Sequence, residues 1–557
     1  MSVACDVFDY VIVGAGAAGC VLTNRLAADG VHSVCLLEAG PRDNNIYLRV
    51  PAGVYKASSD PRFAWQYQTE PHPAVANRSI PMPQGKTLGG STAINGMNYN
   101  RGCPKDFDDW AEAGNSNWGY SDILPYFKRS ERRTGAFDSR YRGSKGELPI
   151  TDSDWRHPVC DSFIEATNRL GLPRDDDYNG ARQSGVGYYQ RYIEKGWRVS
   201  AARAFLRPVA NKKNVDIRTN SEAVSILFEG KRAVGVRYVN VRGSPAREVR
   251  ARREVVLAAG AANSPKLLQL SGVGPKSLLA ALGVETLLDS PGVGANLQDH
   301  YIVHLIIRLS GAKAISGRGA ALLREGVKWL LGRPSVMAIG PSLVYGFVNS
   351  RDLVSTPDVQ LDVALGNFAE NARERFPVLK LGYFQLRPTS RGYVRAASAD
   401  PFVAPIIQPA YLNEQVDRQV VIDAFRTVRR ILAATPLAQY CHSEVLPGPA
   451  IADDAELLDY AREVGLTAYH LSGTCRMGRK SDNLSVVDDQ LRVHGLQGLR
   501  VADASIMPAV PSANTSAAVF MIAEKAADLI LGRNSPASIA PEPAHSADQL
   551  LGLVGAA

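Results

Sequence analysis

The chain has 557 residues, of which 45% are hydrophobic and 21% charged, and its formal net charge is +8. This composition excludes a disordered or collagen-like protein, and no apolar run approaches the ~18 residues of a membrane span. The basic residues are dispersed among glutamates, so we expect no nucleic-acid partner. The seven scattered cysteines show neither metal-ligand nor disulfide spacing, and the N-terminus lacks the features of a secretory signal. We therefore expect a cytoplasmic protein without a metal site or an integral membrane segment.

A dinucleotide-binding signature lies at the start of the chain. The apolar run 8–13 predicts a strand, 20–28 a helix, and 33–37 a second strand that ends at Glu38. The first strand is followed by a G-x-G-x-x-G sequence made of Gly14, Ala15, Gly16, Ala17, Ala18 and Gly19. In such a motif the glycines allow a tight turn, close approach of a pyrophosphate, and packing of helix on strand. Glu38 follows the last glycine by 19 positions (38 − 19), near the ~20 expected for an acid that binds ribose. The fingerprint predicts a dinucleotide site but does not separate FAD from NAD.

Further signals predict one nucleotide-binding core built from distant parts of the chain. The small residues of segment 84–97 favour an ordered loop whose backbone contacts a phosphate or a flat ring. Residues 255–260 and 499–502 read as buried strands. Residues 320–331 predict an amphipathic helix with Leu323, Val327, Leu330 and Leu331 on the face expected to meet the core.

The fold class is therefore α/β. We expect a Rossmann-like domain assembled from discontinuous segments and an α+β substrate-binding domain with an antiparallel sheet. The first comprises 1–155, 200–308 and 465–533, and the second 156–199 and 309–464. The tail 534–557, with three prolines, is expected to be loosely ordered.

Two residues near the C-terminus are candidates for chemistry. His470 is followed by small and hydroxyl residues, which suit a tight buried site, although a lone histidine is more often a satisfied core residue. Asn514 precedes a predicted helix over 515–531, where it is expected to act as the N-cap. Their separation of 44 positions (514 − 470) does not by itself bring them together.

Five motifs in order give the chain a resemblance to the glucose–methanol–choline (GMC) family of flavin oxidoreductases over nearly its whole length. It looks nearest to the branch of bacterial choline dehydrogenases and of primary-alcohol and hydroxymethylfurfural oxidases. The motifs are Gly14–Gly19 with Glu38-Ala39-Gly40; the segment 85–101; Gly260–Pro265 with Ser271–Gly274; Gly292–His300; and His470–Gly478 with the segment 501–514.

The resemblance implies oxidation of a primary alcohol to an aldehyde, with further oxidation to the acid left open. His470 is the implied base, Asn514 the implied substrate hydrogen-bonder, and flavin N5 the implied hydride acceptor. Ile94 occupies the position at which some members link FAD covalently through histidine, so FAD is expected to be non-covalent. His300, His304 and His494 are expected to be structural. The implied cofactor contacts are Gly14, Ala15, Gly16, Ala17, Ala18, Gly19, Glu38, Ala39, Trp65, Gly89, Gly90, Ser91, Asn95, Gly96, Met97, Val224, Asp503, Ala504, Asn514 and Thr515.

The sequence predicts the substrate less closely than it predicts the reaction. An aromatic pocket of Tyr345, Phe347, Phe384 and Tyr469 would favour aliphatic, benzylic or furanic alcohols, whereas choline would need a carboxylate or an aromatic cage. The electron acceptor is expected to be oxygen or a quinone-type compound. Alternatives that stay open are a choline-type dehydrogenase, a non-redox lyase such as the hydroxynitrile lyases that share this likeness, an FAD-binding scaffold and a photodecarboxylase.

Overall fold

The computed structural model describes residues 6–312, 315, 319–351, 356–368 and 376–539. In this part of the chain the strands are β1 (Asp6–Val13), β2 (Val34–Leu37), β3 (Ala64–Gln68), β4 (Pro81–Gly85), β5 (Glu131–Arg133), β6 (Leu148–Ile150), β7 (Gly185–Tyr188), β8 (Ile193–Glu194), β9 (Trp197–Arg198), β10 (Val215–Arg218), β11 (Glu222–Glu229), β12 (Arg232–Val239), β13 (Arg247–Leu257), β14 (Val273–Gly274), β15 (Leu288–Asp289), β16 (Tyr301–Leu309), β17 (Val344–Val348), β18 (Val359–Phe368), β19 (Phe376–Gln385), β20 (Tyr393–Arg395), β21 (Ile406–Gln408), β22 (Cys441–Leu446), β23 (Leu466–Thr467) and β24 (Leu499–Val501).

The α-helices of the same residues are α1 (Ala17–Leu26), α2 (Ile46–Arg49), α3 (Val54–Ser58), α4 (Pro104–Glu112), α5 (Tyr120–Ser130), α6 (Pro158–Arg169), α7 (Gly260–Leu270), α8 (Lys276–Leu282), α9 (Gly319–Leu330), α10 (Gln415–Ala433), α11 (Asp454–Val464) and α12 (Ser516–Leu531). None of these helices is long and apolar enough to cross a membrane.

The first sheet is the expected nucleotide-binding core. Its order is β10-β2-β1-β13-β12-β11, with β24 also paired to β13. Strand β13 pairs in parallel with β1 along most of its length, and then divides its other edge between antiparallel β12 and parallel β24. Buried α1 and α12 pack against each other on this sheet. The predicted α/β architecture of discontinuous segments is thereby confirmed.

The second sheet is antiparallel, with the order β22-β16-β19-β18-β17-β7 and with β23 paired to β16. It confirms the antiparallel sheet expected in the second domain. Its strands differ from the expected boundaries at two points, because β16 begins at Tyr301 and β23 covers Leu466–Thr467. Both pieces were expected in the first domain, yet they pair with the second sheet. The strand predicted near residue 393 forms a separate two-stranded sheet with β21.

Helix α9 presents the face opposite to the one predicted. Leu323, Val327 and Leu330 are 71%, 49% and 74% exposed. The helix instead docks through Trp329, whose ring lies 4.2 Å from that of Trp197, and through buried Glu325. The apolar periodicity predicts the helix correctly, but the face that it predicts to be buried is exposed.

The C-terminal tail is described only as far as residue 539. Before that point Ile539 N donates to Ser121 O at 3.1 Å, at the start of α5. The expectation of a loosely ordered tail concerns mainly 540–557, which lies outside the described residues.

Candidate active site

A large cavity lies between the two sheets. The first sheet and its loops line one end through the glycine-rich segments, and the second sheet lines the other end through β16, β18 and β19. His470 and Asn514 lie where the two parts meet. The predicted cofactor residues that line the cavity are Gly14, Gly16, Ala17, Ala18, Glu38, Ala39, Trp65, Gly90, Ser91, Asn95, Gly96, Met97, Asp503, Ala504, Asn514 and Thr515.

Two glycine-rich loops contact each other and form a cradle at the N-terminus of α1. Gly14 has φ 97°, and a Cβ there would lie 2.6 Å from Ala258 O. Gly90, with φ 52°, lies so close that its Cβ would be 2.7 Å from Gly16 Cα. Because the first N–H groups of a helix are unpaired and the helix dipole is positive at this end, the cradle suits a pyrophosphate.

Glu38 closes the far side of this cradle. Its two carboxylate oxygens accept hydrogen bonds from Ala15 N at 2.9 Å and from Gly40 N at 2.8 Å. Burial raises the pKa of Glu38 to about 7, although these backbone hydrogen bonds oppose the shift. The carboxylate also lines the cavity, where it can accept from the hydroxyls of a ribose.

Asp503, which lines the cavity, joins the start of α7 to its own segment. Its Oδ2 accepts from Gly260 N at 2.9 Å and from Ser264 Oγ at 2.6 Å, and its Oδ1 accepts from Ser505 N at 2.8 Å. Helix α7 begins at Gly260, so the strand predicted over 255–260 ends earlier, at Leu257.

The start of α12 carries polar atoms that lack partners. The helix begins at Ser516 with Thr515 as N-cap, so the prediction that Asn514 caps it is wrong. Asn514 instead directs its amide Nδ2 to His470 Nε2 at 3.0 Å. Asn514 Oδ1 and Ser516 Oγ are buried without a hydrogen-bond partner, and both residues line the cavity. Such orphaned atoms call for a ligand that pairs with them.

His470 is one of two buried histidines in direct contact. Its Nδ1 lies 2.8 Å from Nδ1 of His300, whose Nε2 lies 3.0 Å from Leu386 O. A carbonyl oxygen only accepts, so Nε2 of His300 carries a proton. In neutral His300, Nδ1 is then an acceptor, and Nδ1 of His470 must donate to it. The lone pair of His470 consequently stands on Nε2, next to Asn514.

Both imidazoles are neutral near pH 7. Burial lowers the pKa of His300 to about 4. Burial, together with His300, lowers the pKa of His470 well below its ordinary value. His470 Nε2 is thus available to accept a proton from a group in the cavity.

Asp299 fixes the backbone of both histidines. Its Oδ1 accepts from His300 N at 2.9 Å and from His470 N at 2.7 Å. Its Oδ2 accepts from Thr467 Oγ1 at 2.5 Å and from the Tyr411 hydroxyl. Burial raises the pKa of Asp299 to about 6.

One face of the second sheet forms what we call the roof of the cavity. Alternate residues of three neighbouring strands point to it, as the two-residue period of a strand requires. Phe384 lies nearest to the histidines, with its ring centroid 5.9 Å from that of His470. The roof residues are Ile302, His304, Gln360, Asp362, Ala364, Lys380 and Phe384.

Several predicted residues do not line the cavity. Ala15, Gly19 and Gly89 lie behind the cradle, where Ala15 O accepts from Gly89 N at 2.8 Å. On β11, Ala223 lines the cavity and Val224 does not; Val224 lies at a bulge in the pairing of β11 with β12.

Two of the four aromatic residues predicted for the substrate pocket lie at the cavity. Phe384 and Tyr469 line the cavity. Tyr345 and Phe347 do not. The ring of Tyr345 packs 5.5 Å from that of Tyr189, which does line the cavity.

Sequence reasoning missed two histidines. His300, expected to be structural, contacts His470 directly, and His304 lines the cavity. The N-L-Q-D-H sequence at 296–300 is part of a family motif, but nothing in it indicates the contact. His494 does bond a backbone carbonyl, that of Gly478 at 3.1 Å.

Comparisons with known proteins bear on this site. A family model described as GMC oxidoreductase matches residues 8–302, and a second with the same description matches 388–523. The chain belongs to the GMC oxidoreductase family. It is 38% identical to an alcohol dehydrogenase [acceptor] of Pseudomonas putida, over 96% of this chain and 97% of that one. It is 41% identical to an oxygen-dependent choline dehydrogenase of Cronobacter sakazakii, over 94% of this chain and 95% of that one.

Among solved structures, the pyridoxine 4-oxidase described as from Mesorbium loti superposes with a TM-score of 0.85 at 33% identity. The match covers 95% of this chain and 100% of that one. As a GMC oxidoreductase with such relatives, the protein is an FAD-dependent oxidoreductase of alcohols.

Proposed function

We propose that the protein oxidises a primary alcohol to the aldehyde with non-covalently bound FAD and with His470 as the base. The observation that carries the proposal is the unprotonated Nε2 of buried His470, held toward the cavity by the contact of its Nδ1 with His300. The residues around the cavity fit FAD, because the glycine cradle suits the pyrophosphate, Glu38 suits a ribose, and Asn514 Oδ1 and Ser516 Oγ await partners. FAD, when bound, supplies the two-electron acceptor at flavin N5.

The chain's own residues perform the proton chemistry. An alcohol gives up hydride readily only as its O–H proton leaves, so a base must stand within hydrogen-bond reach of the oxygen. His470 Nε2 accepts this proton, and Asn514 Nδ2 donates a hydrogen bond to the same oxygen. Burial keeps His470 neutral, so that it can accept a proton. The positive charge that it gains is balanced by the negative charge of the hydride that leaves the alcohol. The positive end of the α12 dipole favours negative charge at the neighbouring part of the cofactor.

The expectation of non-covalent FAD rests on residue 94. Ile94 lines the cavity at the end of the 3₁₀ turn Gly90–Ala93, and its alkyl side chain offers no nucleophile to the flavin. Denaturation with acid should therefore release all of the yellow colour from the protein. Colour that stays with the precipitated chain would contradict this part of the proposal.

The experiment that tests the function is an anaerobic visible spectrum of the purified protein, recorded before and after addition of primary alcohols and of choline. Bleaching of the flavin band by an alcohol is the expected result. Admission of air then distinguishes the two kinds of electron acceptor. Quick return of the flavin colour indicates oxygen, and a flavin that stays bleached indicates a quinone-type acceptor. A yellow protein that no alcohol bleaches, while it releases cyanide from a hydroxynitrile, would replace the redox proposal with the lyase.

A further inference from the structure

Three neighbouring polar side chains of the roof face the cavity with unpaired atoms. Lys380 Nζ and the His304 ring make no hydrogen bond to any residue that the structure describes. Asp362 Oδ2 accepts from Ser342 Oγ at 2.7 Å, but its Oδ1 is buried without a partner. Buried polar atoms are normally paired. The unpartnered Asp362 Oδ1, with the half-buried Lys380 and His304 beside it at the same cavity, therefore indicates a bound ligand.

The register of the sheet sets where this ligand would lie. Asp362 pairs with Gly382 and Lys380 with Ala364, so Asp362 and Lys380 are diagonal neighbours about 7 Å apart. Gly382 leaves the space for His304, since a Cβ there would lie 3.0 Å from its Cδ2. Lys380 is four residues along β19 from Phe384 (384 − 380), about 13 Å at the usual rise per residue. A molecule whose hydroxyl meets His470 would therefore reach Lys380 with its far end.

The chemistry of these groups selects the ligand. Burial lowers the pKa of Lys380, although neighbouring Asp362 opposes the shift. Burial and Lys380 lower the pKa of His304 to about 3, so its ring is neutral and carries one N–H donor. An ammonium that is partly removed from water without a partner is costly, and a carboxylate is the partner that best relieves this cost. A quaternary ammonium group, in contrast, would be repelled by Lys380 and would have no proton to give to Asp362.

We propose that Lys380 and His304 bind a carboxylate at the far end of the substrate, so that the preferred substrate is a hydroxy acid whose acidic group lies at most about 13 Å from its alcohol. Asp362 accepts a hydrogen bond from a further polar hydrogen of the same ligand. This inference rests on the proposed function, because it assumes that the hydroxyl is oxidised beside His470.

The test compares 8-hydroxyoctanoate with 1-octanol in the holoenzyme. The measured quantity is the ratio of their kcat/KM values, in the wild type and in Lys380→Met. Hydrogen bonds to charged groups predict that the ratio falls by about tenfold to a hundredfold in Lys380→Met. Lys380→Arg should retain most of the preference. Lys56→Met removes an exposed lysine of α3 that does not line the cavity, although its neighbour Tyr55 does, and should leave the ratio unchanged.

A measurement on the wild type keeps the proposal testable if the variants misfold. Octanoate should compete with 1-octanol at least about tenfold more tightly than octylamine does, since only the anion pairs with Lys380. Equal inhibition by the two, or an unchanged ratio in Lys380→Met, would overturn the carboxylate site while octanol oxidation stands. Failure of every alcohol to reduce the flavin would instead overturn the proposed function itself.

Discussion

Replacement of His300 by leucine should slow flavin reduction, although His300 does not line the cavity. His300 accepts the Nδ1 proton of His470 at 2.8 Å, and leucine cannot. The Nδ1–H of His470 would then be unpaired in a buried site, at a cost of about 1–3 kcal/mol. The other tautomer of His470 carries its proton on Nε2. After rotation of the Asn514 amide, this N–H could donate to Asn514 Oδ1, which has no partner.

The magnitude follows from that cost. A preference of about 1–3 kcal/mol for the unproductive tautomer leaves roughly a sixth to less than a hundredth of the molecules with a lone pair at Nε2. The rate of anaerobic flavin reduction, measured by stopped flow, should fall by about the same factor. Raising the pH should not restore it, because exchange between two neutral tautomers releases no proton.

His300→Gln is the matched control. Its amide can accept from His470 and donate to Leu386 O, so the rate should stay within a few fold of the wild type. FAD content and the thermal unfolding midpoint of both variants should be followed in parallel. Reduction of His300→Leu at the wild-type rate, with FAD bound, would refute the reasoning about the tautomer.

Three further predictions concern other parts of the cavity. Because Glu38 has a pKa of about 7 without nucleotide and its ionised form accepts ribose hydroxyls best, the Kd of the apoprotein for FAD should fall by up to about tenfold per pH unit as pH rises toward 7, then level off. Equilibrium titration by flavin fluorescence checks this, and a similar slope in Glu38→Gln would contradict it. Gly90→Ala should lose FAD, because the new Cβ would lie 2.7 Å from Gly16 Cα, whereas Gly230→Ala, at a similar φ of 57° in open space, should keep it; equal flavin content of the two variants would count against the cradle. Asn514→Asp places a carboxylate beside His470 Nε2, which raises the pKa of that imidazole, so flavin reduction should slow below neutral pH and recover as pH rises. The wild-type rate should stay flat down to below pH ~6.5, and coincident pH profiles would argue against His470 as the base.

The parts of this protein that sequence predicts well are those in which local residue types dictate local geometry. The turn at Gly14, the strand that ends at Glu38 and the helix that follows Asn514 are of this kind. The contact between His300 and His470 spans 170 positions, and only the pairing of β16 with β19 and β23 brings it about. No local pattern contains that information.

The remaining errors concern which face of an element is buried. Val224 lies at a bulge in the pairing of β11 with β12. Tyr345 packs against Tyr189, which lines the cavity in its place. The apolar stripe of α9 lies outward because Trp329 and Glu325 dock the opposite face. Periodicity predicts that two faces differ, but tertiary packing decides which one is covered.

The most direct test of the account is the rate of anaerobic flavin reduction in His470→Gln, at saturating alcohol. Glutamine can keep hydrogen bonds to His300 and Asn514 but cannot accept a proton near neutral pH. With FAD still bound, the rate should fall by about a hundredfold to ten-thousandfold, the usual contribution of a general base. Reduction within about threefold of the wild-type rate would contradict the assignment of His470 as the base.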